Sequence, residues 1–94
     1  MHFVLHCLDK PGAAALRAAN RPAHLDYLKA HDAKIQMAGP ILSDDGGAMV
    51  GSLLILNVPA KADAEAFVAG DPYTKAGLFA SVAIAPWKQV VWKG

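Results

Sequence analysis

Four consecutive apolar residues, Leu53-Leu54-Ile55-Leu56, sit inside a strand-like segment at residues 52–58 and constrain this chain more than any other feature. Successive residues of a strand point to opposite faces, so a sheet with water on one side alternates apolar and polar positions. This strand is apolar on both faces, and both need cover. Ninety-four residues suffice for one compact domain with one core. If that domain's helices cover one face, the economical cover for the other is a second copy of the chain, which predicts a homodimer packed sheet against sheet.

The rest of the chain supplies the helices and the remaining strands. Residues 3–8 form a short apolar run closed by Asp9-Lys10-Pro11-Gly12, a strand and its turn. Two helical pieces follow, residues 13–20 and 22–33, with a break expected near 20–22 because Pro22 suits the first turn of a helix. Residues 35–42 read as a second strand, whose Gly39-Pro40 demands an edge, a bulge or a bend. Ser43-Asp44-Asp45-Gly46-Gly47 turns it into the third strand as a hairpin. Residues 62–69 are a helix closed by Gly70, residues 72–79 add a shorter helical turn, and residues 82–92 form a last strand interrupted by Pro86. The order β-α-β-β-α-β implies a ferredoxin-like α+β domain, a four-stranded antiparallel sheet with its helices on one face.

Charge and motifs narrow the function. Nine basic residues against eight acidic ones leave a net charge of +1, no footprint for nucleic acid or an anionic membrane. No apolar run approaches ~18 residues and the first residues do not resemble a signal peptide, so a soluble cytoplasmic protein is expected. The lone Cys7 lies in an apolar strand and reads as a small buried hydrophobe. Nothing in the sequence matches a dinucleotide or P-loop glycine pattern, HExxH, GxSxG or a cysteine-histidine metal spacing, so no cofactor or metal is expected.

Chemistry must then come from histidine and carboxylate. His2 and His6 share one face of the first strand and read as polar tips on a sheet face, while His31 reads as a favourable charge at a helix C-terminus. His24, placed by this reading in the first turn of the second helical piece beside a stripe of Leu25 and Leu28, is a candidate base held neutral by the helix dipole. Gly70-Asp71-Pro72 is complete as punctuation: glycine closes one helix, aspartate caps the next, proline takes its first position. A capping carboxylate still has lone pairs for an imidazole, so cap and catalytic partner are compatible roles for Asp71.

Together, Arg21-Pro22-Ala23-His24-Leu25, Ala38-Gly39-Pro40, Gly51-Ser52, Asp71-Pro72-Tyr73 with Ala76-Gly77, and Pro86-Trp87-Lys88 with Val90 resemble the YCII-related (YciI-like) family nearly end to end. The resemblance implies a dimeric α+β barrel similar to muconolactone isomerase, and a histidine and aspartate paired for catalysis at His24 and Asp71. One branch of the family is associated with removal of chloride from a chlorinated hydroxyquinol. Trp87 stands where a phenylalanine is also seen. Within such a pocket Arg21 would hold a carboxylate or enolate, Ser52 and Tyr73 would offer hydroxyls, and Gly39 and Pro40 would complete the substrate-binding wall.

The leading expectation is a cofactor-free acid-base enzyme, a lyase, isomerase or hydrolase acting on a small ring compound, with His24 as base and Asp71 as its orienter. The alternatives are a non-catalytic dimer binding a small ligand in the same cavity and, on fold analogy alone, a cofactor-free oxygenase or haem-degrading relative.

Overall fold

In the computed structural model, which describes residues 1–93, Phe3, Leu5 and Cys7 alternate with His2, Val4 and His6 along β1 (His2–Asp9). The first set is buried beneath the helices. β1 lies between β3 (Met49–Asn57) and β4 (Phe79–Trp87), and β2 (Ile35–Leu42) is added outside β3, giving the antiparallel order β2-β3-β1-β4. Helix α1 (Ala14–Ala30) links β1 to β2 through a 3-10 turn at Asp32–Lys34; α2 (Lys61–Gly70) and the short α3 (Pro72–Lys75) link β3 to β4. This is the ferredoxin-like α+β architecture that the element order implies.

Register explains the core. Phe3 pairs with Leu56, Leu5 with Leu54 and Cys7 with Ser52, so these side chains share the face that packs against Val58, Ala64 and Phe67. The intervening pairs, Val4 with Ile55 and His6 with Leu53, point the other way, and Met37 of β2 stands beside Ile55 on that second face. Leu53 is 37% exposed and Met37 47%, whereas Ile55 is 3%, so the apolar second face lies open in part in the single chain.

Prolines occupy the edges, as their missing N–H requires. Pro40 lies on edge strand β2, whose pairing slips near both ends, and Pro86 lies on edge strand β4 opposite Phe3. The last strand runs Phe79–Trp87 rather than 82–92: its partner β1 begins at His2, opposite Trp87, so residues 88–92 have no strand to pair with. β3 likewise starts at Met49, earlier than residue 52, because the hairpin holds Leu42 against Met49.

The expected break at residues 20–22 is absent. α1 is one helix of 17 residues with Pro22 inside it. Proline removes the N–H that would bond the Ala18 carbonyl, but Ala18 and Pro22 are both exposed, so water can satisfy that carbonyl. No helix among the described residues is long and apolar enough to cross a membrane.

Candidate active site

Asp71 is the single residue between α2 and α3: its backbone N–H donates to the Val68 carbonyl at the end of α2, and its carboxylate caps α3. Oδ1 accepts a hydrogen bond from the Tyr73 N–H at 2.9 Å and Pro72 occupies the first helical position, the cap expected for the shorter helix. Gly70 has another reason than the expected left-handed helix end. Among the described residues the positive φ values belong to Gly12, Gly46 and Gly77. A Cβ on Gly70 would lie 2.6 Å from the Tyr27 hydroxyl, which donates to the Phe67 carbonyl at 2.7 Å. The missing side chain is what lets α1 approach α2 here.

That approach delivers His24 to Asp71. Imidazole Nδ1 lies 2.9 Å from Oδ1 and 3.1 Å from Oδ2, with His24 7% exposed and Asp71 2%. Against an ionised Asp71, Nδ1 carries the proton and donates it. In the neutral ring the lone pair is then on Nε2, for which no protein partner is found among the described residues. His24 sits in the middle of α1 rather than in a first turn, so the helix dipole, which acts over the terminal turn, does not set its charge. Leu25, expected on the core stripe, is 44% exposed, whereas Leu28 packs against the core.

Sequence reasoning missed Arg17. Its Nε and Nη2 donate to the two oxygens of Asp9 at 2.7 and 2.9 Å, and Nη2 also donates to Ser52 Oγ at 2.9 Å. Burial opposes the guanidinium charge, but the hydrogen bonds and charge of Asp9 outweigh it and raise the Arg17 pKa further. The fixed cation lies 4.6 Å from the Tyr73 ring centroid, and His24 stacks on the same ring at 3.9 Å with the planes 14° apart. Arg17 precedes His24 by seven residues, two helical turns, so both project from one face of α1 and reach Tyr73 together. That spacing was a readable signal. Burial, above all, pushes the Tyr73 hydroxyl pKa up and keeps it protonated.

A cavity of about 140 Å³ opens beside this cluster, between α1 and the β2-β3 hairpin. Its polar wall is Arg17, Arg21, His24, Ser52 and Tyr73. Leu25, Leu28, Met49 and Leu54 are the apolar wall, and Ala38, Gly39 and Pro40 of β2 close one side. Arg21, Ser52, Tyr73, Gly39 and Pro40 thus share one cavity with His24, while Asp71 stands behind the imidazole. Ser52 is tethered by Arg17, and a Cβ at Gly39 would meet open space.

The remaining candidates lie elsewhere. His6 is exposed on the second sheet face, His2 meets the edge of the Trp87 ring at 6.0 Å, and His31 caps α1 against Tyr27. Cys7 is buried, and burial, followed by the charges of Asp71 and Asp9, pushes its thiol up to about 12 from 9.0, so it is no nucleophile near neutral pH.

Known proteins share this arrangement of the chain. The structure superposes on 5-chloro-2-hydroxyhydroquinone dehydrochlorinase (TftG) from Burkholderia phenoliruptrix AC1100, solved in complex with 2,5-dihydroxybenzoquinone, with a TM-score of 0.86, 41% identity and 94% of each chain covered. Protein YciI of Escherichia coli is 35% identical over 97 residues, covering 96% of this chain and 99% of that protein. An uncharacterized protein of Haemophilus influenzae is 32% identical over the same coverage. The YCII-related domain model matches residues 1–88, and the chain therefore belongs to the YCII-related family.

Proposed function

We propose that this chain is a cofactor-independent enzyme that moves a proton on a small ring compound, with His24 as general base and Asp71 as the group that orients it. The observation that carries the reading is the His24 Nδ1 to Asp71 Oδ1 contact of 2.9 Å, buried on the protein side, with the imidazole on the cavity wall. Asp71 holds the imidazole in the tautomer whose Nε2 is basic and stabilises the imidazolium once Nε2 has taken a proton. Arg21, Ser52, Tyr73, Gly39 and Pro40 bound the substrate in this reading, and Arg21 balances a developing carboxylate or enolate charge. Likeness to a dehydrochlorinase solved with a dihydroxybenzoquinone favours elimination from a hydroxylated, halogenated ring. Taken through the ring's keto tautomer, in which the halogen-bearing carbon is tetrahedral, His24 would remove the proton of a ring hydroxyl conjugated with that carbon; the O–H pair would become a carbonyl, the double bond would shift, and halide would leave with the carbon–halogen pair.

The same reading takes the working form as a homodimer joined through the open second face, where Leu53 and Met37 stand exposed.

The test is turnover. Purified protein is offered halogenated hydroquinones and small lactones, and released halide or ring opening is followed. His24→Ala abolishes turnover and leaves the folded assembly unchanged on this reading. Unchanged turnover in that variant sinks it, and tight binding with no turnover in the parent protein replaces it with a ligand-binding role.

A further inference from the structure

The cavity lining is rich in donors and poor in acceptors. Its charged lining residues other than the histidine are two arginines, Arg17 and Arg21; neither Asp9 nor Asp71 lines it. Arg17 is already paired with Asp9, whereas Arg21 makes no ion pair among the described residues. The Tyr73 hydroxyl is buried, belongs to a residue with 0% exposure, and makes no hydrogen bond of good geometry; the Arg17 guanidinium beside it can only donate, so the hydroxyl proton has no acceptor. Buried hydroxyls are nearly always partnered, because a desolvated donor is unfavourable until an acceptor reaches it. The opposite wall is aliphatic, and a dry aliphatic cavity of roughly 150 Å³ in another protein accepts benzene. The space here, about 140 Å³, suits one six-membered ring.

We propose that the cavity recognises a single hydroxylated ring in its ionised form, a phenolate or ring enolate, whose oxygen accepts from the Tyr73 hydroxyl and faces the unpaired charge of Arg21. This rests on the reading of the same cavity as the substrate site and adds what the site selects: the oxyanion, not the neutral ring. Apolar contact with Leu28 and Leu54 holds the ring, and the two donors decide its protonation state.

Two probes separate these contributions. 4-Nitrophenol reports its own ionisation through its visible absorption, and 4-nitroanisole presents the same ring with a methylated oxygen. The expected result is binding of nitrophenol as phenolate at least tenfold tighter than nitroanisole, which moves its apparent pKa about one unit below the free value. Tyr73→Phe retains the ring stacked on His24 and removes only the hydroxyl. It weakens nitrophenolate about tenfold or more, the range for a hydrogen bond to a charged group, and leaves nitroanisole unchanged. Arg21→Gln weakens nitrophenolate and reduces the salt dependence of its binding. Equal affinity for the two probes, binding of neither at millimolar concentration, or indifference to Tyr73→Phe overturns the proposal. Because the readout is binding, selective phenolate capture by a protein that turns nothing over would overturn the enzymatic reading and leave this one standing.

Discussion

The imidazole of His24 lies 3.9 Å from the Tyr73 ring, nearly parallel to it, while its Nδ1 contacts the carboxylate that caps the helix in which Tyr73 sits. The imidazole is therefore held twice by one short segment: Asp71 fixes it within its own plane and Tyr73 supports its face. A helix cap that also orients a histidine ties the position of α3 to the geometry of the site, so the two roles of Asp71 can be separated by choosing what replaces it.

Asp71→Asn preserves the cap, because asparagine ranks with aspartate at that position and its carbonyl can accept from the Tyr73 N–H. It removes the charge that stabilises an imidazolium and no longer enforces one tautomer. Turnover is expected to fall by roughly 10²–10⁴ with little change in urea midpoint. Asp71→Ala loses the cap as well and should be less stable by about 1 kcal/mol. Both are read from kcat and urea unfolding; full activity in the asparagine variant would reduce Asp71 to a structural cap.

Much of this organisation can be read locally, and what cannot depends on distant residues. The span 35–42 and the Asp71 cap follow from turn chemistry, and proline's missing donor confines Pro40 to an edge, a bulge or a bend, of which the structure uses the edge. The end of β4 does not, because it is set by where β1 begins, some eighty residues earlier. Pro22 looked like a helix start because its effect on a helix interior depends on whether the freed carbonyl reaches water, which is a tertiary fact. The meeting of His24 with Asp71 spans 47 residues and no local pattern encodes it; it entered through family resemblance. Arg17 was legible as a face-sharing neighbour of His24, yet its partners Asp9 and Ser52 were not, since they lie on different strands.

The Arg17 and Asp9 side chains are each only 6% exposed, which makes their pair sensitive to loss of either member. Removing one partner of a buried ion pair leaves an uncompensated charge and typically costs about 3–5 kcal/mol. Asp9→Asn or Arg17→Met is expected to lower stability within or near that range. The double variant recovers a large part of the loss, since no charge is then stranded. Urea unfolding of the four proteins gives the coupling; additive effects would show the pair is not coupled.

Cys7 makes stability fall in alkali. Its thiol is raised from 9.0 to about 12 in the folded chain, so the unfolded chain ionises first as pH rises. The contribution from a neutral buried thiol is complete below pH 9 and is lost between there and about 12. Between pH 7.5 and pH 10, the parent protein is expected to lose roughly 1 kcal/mol more than Cys7→Ala, whatever the alanine itself costs at neutral pH. Tyrosine ionisation acts on both proteins alike and cancels in the comparison. Parallel pH profiles would show that the thiol is not protected, as would rapid labelling of Cys7 in the native protein.

The open sheet face gives the clearest prediction about assembly. Two rows cross the sheet there: Met37, Ile55, Val4 and Ala85 in one, and Gly39, Leu53, His6 and Ala83 in the other. Of these eight residues only His6 is ionisable; Ile55 is already buried, but Met37 and Leu53 stay exposed, and monomeric proteins seldom leave a large apolar patch in water. Leu53 lies at its middle on β3, so a charge there would be buried against the partner without a counter-ion. Leu53→Asp is expected to shift the protein from dimer to monomer in sedimentation velocity at micromolar concentration. Its site lies on the opposite side of the sheet from His24, so the monomer should still bind a ring oxyanion. A parent protein that sediments as a monomer under the same conditions would mean that the second face is covered by something other than a copy of this chain.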